Sequence, residues 1–106
     1  MSYAPDAKFD ELHRRIKGGH IVELNREFDA GIDPNLKNRF GWTLLMLAAL
    51  KGRMDVIDLL ISRDADPLAK NQFGDSAESL ARYNKHDRAA DSIAKHAAKL
   101  KGTTRS

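Results

Sequence analysis

The apolar positions of this chain follow the period of an α-helix in stretches that short polar turns separate. Residues 44–50 are apolar without a break, whereas the stretches before and after them are apolar along one side only. This periodicity predicts six helices, arranged as three consecutive pairs. The predicted pairs are residues 7–17 and 21–29, residues 43–50 and 54–62, and residues 76–83 and 87–98.

The three pairs differ in the number of sides that are apolar. In the first pair one stripe is apolar, and we expect Glu23, Asn25, Arg26 and Glu27 to face water. The last pair is also one-sided, with Arg88, Asp91, Lys95 and Lys99 on its polar side. The middle pair has no polar side, so it must be covered on two sides. The pattern therefore predicts a stack in which the outer pairs cap the middle one.

The turns repeat at an interval of 33 positions. The segment DPNLKNRFG at 33–41 returns as DPLAKNQFG at 66–74. Turns need particular residue types to reach their backbone angles, so they are the part of a repeat that is hardest to vary. A chain of this kind is a solenoid of similar units.

Residues beside the helices fit the same repeat. Thr43 and Ser76 stand at matching positions in front of a helix and are predicted N-caps, since their hydroxyls can accept a backbone hydrogen bond. Gly31 is predicted to end its helix in the left-handed conformation. Asp64 holds that place in the next unit, and aspartate tolerates the conformation at modest cost.

The 33-residue period and the segment GWTLLMLAALKGRMDVIDLLISRDADP at 41–67 resemble an ankyrin repeat. FDELHRRIKGGH at 9–20 and GDSAESLAR at 74–82 resemble the two cap repeats of that family. The resemblance implies an all-α ankyrin-repeat solenoid of stacked helix-turn-helix units joined by β-hairpin-like turns. It implies a single domain with an N-terminal cap repeat at 6–38, a central repeat at 39–71, a C-terminal cap repeat at 72–98 and a flexible tail at 99–106.

Composition and motifs narrow the classes of function. No stretch reaches the ~18 apolar residues of a membrane span, and the start of the chain has no basic and apolar leader, so we expect a cytoplasmic protein. The chain has no cysteine. The histidines lack metal-ligand spacing, and no nucleophile elbow or phosphate-binding loop occurs. We therefore expect no enzyme activity, no metal and no cofactor.

The net charge of +3 arises in the last third of the chain, because residues 75–106 carry seven basic and four acidic side chains. Elsewhere the two signs balance. The simpler interpretation is a solubilising helix end whose cations complement the helix dipole. The alternative is a surface that attracts nucleic acid or an acidic partner, although no aromatic platform accompanies these cations.

The resemblance also implies a binding surface, since ankyrin stacks usually bind proteins through a concave face made of hairpin tips and first helices. The residues predicted to bind a partner are Arg39, Phe40, Trp42, Leu50, Lys51, Gln72, Phe73, Asp75 and Tyr83. Further positions transferred to this face are Phe9, Lys17, Lys37, Lys70 and Asn84. Aromatic side chains are enriched in interface hot spots, which favours this assignment. The alternative for Phe40, Phe73 and Trp42 is a structural role beneath the hairpins and at a helix start.

These observations predict a monomeric protein-binding module whose partner is another protein and not a membrane. Short ankyrin proteins of bacteria and phages include some that neutralise a toxin, so the resemblance extends to an immunity or inhibitor role. The alternative is a nucleic-acid-associated factor that uses the cationic C-terminal third.

Overall fold

The structure is a computed structural model that describes the backbone of residues 4–102 and the side chains of residues 6–100. Its helices follow the predicted order. They are α1 (Ala4–Gly18), α2 (Ile21–Asp29), α3 (Leu44–Lys51), α4 (Met54–Ser62), α5 (Ala77–Tyr83) and α6 (Asp87–Gly102). Helix α6 runs past its predicted end at residue 98, because the lysine and leucine residues that follow there favour helix. Residues 103–106 of the predicted tail lie outside the described residues.

The helices pack in two rows. Each pair, α1 with α2, α3 with α4 and α5 with α6, is in contact, and successive pairs meet through α1, α3 and α5 on one side and α2, α4 and α6 on the other. Within residues 4–102 the only β-pairing outside helices is an isolated bridge between Lys37 and Thr43 at the base of a hairpin. The predicted all-α stack joined by hairpin-like turns is confirmed. No helix in this range is long and apolar enough to cross a membrane.

The central pair is covered on both sides, as its apolar pattern predicts. All residues from Leu44 to Ala49 are buried, and so are Val56, Ile57 and Leu60 on α4. In the outer pairs burial is confined to one stripe. This stripe comprises Phe9, Leu12, Ile16, Leu24 and Phe28 in the first pair and Ala77, Leu80, Ala81, Ala89, Ala90, Ile93 and Ala97 in the last.

Two of the four polar residues expected to face water on the first pair are partly covered instead. The carboxylate of Glu27 accepts a hydrogen bond from the ammonium of Lys8, with 2.9 Å between nitrogen and oxygen, and this bond lowers the pKa of Glu27. The side chain of Asn25 accepts a hydrogen bond from Arg63 of the central repeat. The prediction was wrong for these two positions because it considered one helix pair alone, and side chains of neighbouring elements reach them.

The predicted caps are present. The hydroxyls of Thr43 and Ser76 accept hydrogen bonds from the backbone N–H three residues on, at 3.2 and 3.1 Å. Gly31 and Asp64 both have positive φ angles, of 109° and 64°, directly after their helices. These local interactions fix where each helix begins and ends, and therefore where each hairpin leaves the stack.

The turn between the paired helices brings consecutive repeats into close contact. Gly52 has a left-handed φ of 66°, and a Cβ atom placed there would lie 2.6 Å from Nδ1 of His86. Gly19, one repeat earlier, lies in the same way beneath the guanidinium of Arg53. Lys85 occupies the matching place in the last repeat with φ 63°, so the backbone angle alone does not demand glycine. At Gly52 a side chain is also excluded by the imidazole of His86, which packs against the glycine.

We expect Gly52→Ala to destabilise the protein by about 2 kcal/mol or more, because it adds a steric clash to the ~1 kcal/mol cost of a left-handed alanine. In a His86→Ala background, Gly52→Ala should cost only about 1 kcal/mol, since the clashing ring is gone. Urea unfolding of the four proteins in this cycle measures the difference. Equal costs of Gly52→Ala in both backgrounds would show that the ring does not constrain the turn.

Candidate binding face

Two asparagines hold the hairpins that project from the stack. Oδ1 of Asn38 accepts hydrogen bonds from the backbone N–H groups of Phe40 and Trp42, at 2.9 and 3.0 Å. Asn71 makes the same two bonds in the next repeat, at 2.9 and 3.0 Å. With the backbone fixed in this way, the tips present Phe40 and Phe73 with 47% and 69% of their surface exposed. Neither phenylalanine is tucked beneath its hairpin.

The two hairpin tips are joined to each other. The backbone N–H of Gln72 donates to the carbonyl of Phe40 at 3.0 Å, and its side-chain amide donates to the carbonyl of Arg39 at 2.9 Å. The guanidinium of Arg39 lies 2.6 Å from a carboxylate oxygen of Asp6 and 5.9 Å from the ring centre of Phe40. Arg39 and Gln72, both predicted to bind a partner, therefore also hold neighbouring repeats in register.

A hollow of about 450 Å³ opens between the last two repeats on the side of α3 and α5. We call it the C-terminal hollow. It is lined by Leu50, Asp75, Ser79, Leu80, Tyr83 and Asn84. Tyr83 is 86% exposed at its edge. The structure thus brings together four of the predicted positions, Leu50, Asp75, Tyr83 and Asn84. Trp42, by contrast, is half-buried and packs against the core.

The opposite end of the same helix row is cationic. His13 on α1 lies close enough to Lys51 and Lys17 for their charges to act on it, and we call the two lysines the cationic end. Burial of the imidazole lowers the pKa of His13, the two lysines lower it further, and Asp10 opposes the shift. The predicted site residue Lys51 therefore lies beside the N-terminal repeat and away from the lining of the C-terminal hollow.

Comparison with known proteins identifies this architecture. A family model for ankyrin repeats, in three copies, matches residues 12–103. The chain belongs to the ankyrin-repeat family. Ankyrin repeats are generally protein–protein interaction modules, and the repeat itself is a non-catalytic fold. Within the described residues, no three histidine or carboxylate side chains are grouped so that they could hold a metal ion.

The curated relatives contain ankyrin repeats within chains of different kinds. Human mitochondrial disaggregase is 29% identical over 98 residues, which is 90% of this chain and 14% of that protein. Mouse 2-5A-dependent ribonuclease is 33% identical over 64 residues, 59% of this chain and 9% of the other. Notch-regulated ankyrin repeat-containing protein B of Danio rerio is 32% identical over 62 residues, and the match spans 55% of it. The chain thus covers only a small part of the first two relatives.

One position transferred to the ankyrin face lies elsewhere. Phe9 is only 2% exposed and belongs to the core, because α1 turns it toward the central repeat.

Ser79 and Leu80 line the C-terminal hollow, although the sequence analysis did not predict them as site residues. The available signal was the spacing of Asp75, Ser79 and Tyr83 at intervals of four, which places them on one side of α5 and the turn before it. The binding roles of the nine residues from Arg39 to Tyr83 that the sequence assigns to a partner surface remain predictions.

The partly buried imidazole of His13, beside the cationic end, is expected to make the stability of this ankyrin stack depend on pH. Because the folded-state pKa of His13 is depressed, its contribution is fully present above the unfolded value of about 6.5 and is lost as the pH falls through the folded pKa. We therefore expect the melting temperature to decrease as the pH is lowered from about 6.5 through the folded-state pKa of His13. The substitution His13→Gln should make this decrease smaller. His20→Gln, at an exposed position, is the control. Identical pH profiles for His13→Gln and the wild type would contradict this expectation.

Proposed function

We propose that this ankyrin-repeat chain binds a partner protein through its concave face, with Phe40, Phe73 and Tyr83 as direct contacts. The observation that carries the proposal is the exposure of these three rings on the hairpins and inner helices. Exposed aromatic rings cost solubility and contribute strongly to interfaces, where a few such residues supply most of the binding energy. Val22 is also exposed, at 61%, but it stands alone on α2.

The charges along the inner helices support a specific docking orientation. The cationic end lies at one side, where Asp10 is also near His13. At the other side, Asp75 is the one charged residue among the described residues that line the C-terminal hollow. Charge patterns of this kind select partners and fix their register more than they raise affinity. A partner segment that crosses the face would therefore be held in one direction.

The proposal takes only the general protein-binding role of the ankyrin-repeat family, and nothing from the individual relatives. The matched segments are only 14% of human mitochondrial disaggregase and 9% of mouse 2-5A-dependent ribonuclease. An immunity or inhibitor role is the narrower form of the proposal. It rests on the sequence resemblance alone, and a toxin as the captured partner would support it.

Site-specific photo-crosslinking in the native host tests the concave-face proposal. Benzoylphenylalanine at Tyr83 or Phe73 should cross-link the same partner protein, whereas the matched probe at Val22 on α2 should not. All three positions are more than half exposed, so the probe is equally accessible at each. Cross-links that are as strong at Val22 as at Tyr83 would contradict the proposal, as would cross-links at Val22 alone.

The nucleic-acid alternative depends on the cationic C-terminal third. Lys95 and Lys99 are exposed on α6, while Lys101 and Arg105 lie outside the described side chains. If this surface binds nucleic acid, replacing Lys99, Lys101 and Arg105 with serine should weaken binding and reduce its salt dependence. Under the protein-binding proposal, the substitutions leave the Tyr83 cross-link unchanged.

A further inference from the structure

The C-terminal hollow combines apolar walls with one charged group. Leu50 and Leu80 contribute side chains from α3 and α5, and the ring of Tyr83 stands at the edge. Among the described residues of the lining, Asp75 is the only one with a formally charged side chain. Hollows that bind side chains or small ligands commonly have this composition, in which apolar contact area supplies affinity and a few polar atoms fix orientation.

The carboxylate of Asp75 has no hydrogen-bond or ion-pair partner among the described residues. The backbone of Asp75 is occupied, because its N–H donates to Oδ1 of Asn71 at 3.0 Å and its carbonyl accepts from the N–H of Asn71 at 3.0 Å. These bonds hold the residue in place and leave both side-chain oxygens open. The hairpin therefore presents a fixed, unpaired carboxylate to an apolar hollow.

The hydrogen bonds that the other polar side chains of the hollow already make favour a ligand that donates hydrogen bonds. The hydroxyl of Ser79 is engaged, since it accepts from the N–H of Ser76 at 2.9 Å and donates to the carbonyl of Ser76 at 3.0 Å. The side-chain nitrogen of Asn84 donates to the carbonyl of Leu80 at 2.8 Å, which leaves its oxygen as an acceptor. Asp75 and Asn84 thus both offer oxygen atoms to an incoming group.

We propose that the C-terminal hollow binds an arginine side chain of the partner protein. This inference deepens the concave-face proposal and rests on it. The methylene groups would pack between Leu50 and Leu80, and the guanidinium would donate to Asp75 while it stacks on the ring of Tyr83. Guanidinium has five donors and no acceptor, and it combines carboxylate pairing with aromatic stacking better than an ammonium does.

Titration of the full chain with acetyl-arginine methylamide, followed by ¹H–¹⁵N NMR, tests the proposal without a known partner. We expect saturable shifts of the backbone signals of Leu50, Asp75, Ser79 and Tyr83. The capped citrulline analogue has nearly the same shape without the charge. It should bind at least about tenfold more weakly than the arginine compound, since a charge-assisted hydrogen bond is lost. Asp75→Asn should weaken arginine binding by a similar factor, and Asp58→Asn on α4 should leave it unchanged.

Each remaining outcome contradicts the inference. Equal shifts with capped lysine would remove the specificity for arginine, and equal shifts with capped citrulline would remove the role of Asp75. The absence of shifts at about 50 mM ligand would rule out the site, because a useful side-chain pocket binds more tightly than that. The NMR spectrum of Asp75→Asn also reports whether that variant is folded. If Tyr83 cross-links a partner and arginine does not bind in the hollow, this inference fails and the concave-face proposal stands. If arginine binds in the hollow and Tyr83 cross-links no partner, the concave-face proposal is overturned.

Discussion

A chain truncated after Asp75 is expected to lose cooperative unfolding. The deletion removes α5 and α6, which cover α3 and α4, and it exposes Leu47, Ala48 and Leu60, now at most 5% accessible. The newly exposed apolar surface is on the order of several hundred Å², worth several kcal/mol at about 25 cal/mol per Å². That loss is comparable with the whole stability of a small domain, about 5–15 kcal/mol. The remaining fragment should aggregate or behave as a molten globule.

Thermal melts followed by circular dichroism, with light scattering to detect aggregation, measure this effect. The matched control is a chain truncated after Gly102, which keeps all six helices and should melt like the full chain. If the fragment that ends at Asp75 stays monomeric and melts cooperatively near the full-length temperature, the last repeat is not a cap and the account of the stack is wrong.

Trp42→Ala and Tyr83→Ala are expected to destabilise the protein by very different amounts. Trp42 is half-buried and packs against the core, so its removal should cost about 2–3 kcal/mol, somewhat less than that of a fully buried aromatic residue. Tyr83 is 86% exposed, and its removal should cost less than about 0.5 kcal/mol. A loss of ~2 kcal/mol should lower the melting temperature by roughly ten degrees in a domain of this size.

Urea unfolding of both variants distinguishes an aromatic residue that stabilises the fold from one that is exposed for binding. The measurement needs no partner. Val22→Ala, which removes an exposed apolar side chain from α2, is the control and should leave the midpoint almost unchanged. Destabilisation by Tyr83→Ala as large as that by Trp42→Ala would remove Tyr83 from the binding face and assign it to the fold.

The repeat architecture was readable from the sequence because its signals are local. Thr43 and Ser76 cap helices through hydrogen bonds that span three residues, and Gly31 and Asp64 end helices through their own backbone angles. The complete burial of residues 44–49 followed from a run without a polar side. Such features depend on a few neighbouring residues, so pattern and turn chemistry are sufficient to predict them.

The binding face was less readable because it depends on contacts between repeats. The ion pair of Arg39 with Asp6 spans 33 positions, and no local pattern indicates it. Phe9 and Phe40 are the same residue type at face positions taken from the family, yet one is buried and the other is 47% exposed. Burial of an aromatic side chain depends on which neighbour covers it. Only the assembled stack shows that an unpaired Asp75 lies beside Leu50 and Tyr83.

The affinity of the cross-linked partner for Tyr83→Ala, measured by isothermal titration calorimetry beside wild type and Val22→Ala, tests the central claim most directly. The account predicts that Tyr83→Ala weakens binding by about 2 kcal/mol, roughly thirtyfold, because an interface aromatic is lost. It predicts an unchanged dissociation constant for Val22→Ala. A partner that binds Tyr83→Ala as tightly as wild type, or that loses affinity through Val22→Ala instead, would show that the concave face is not the binding surface.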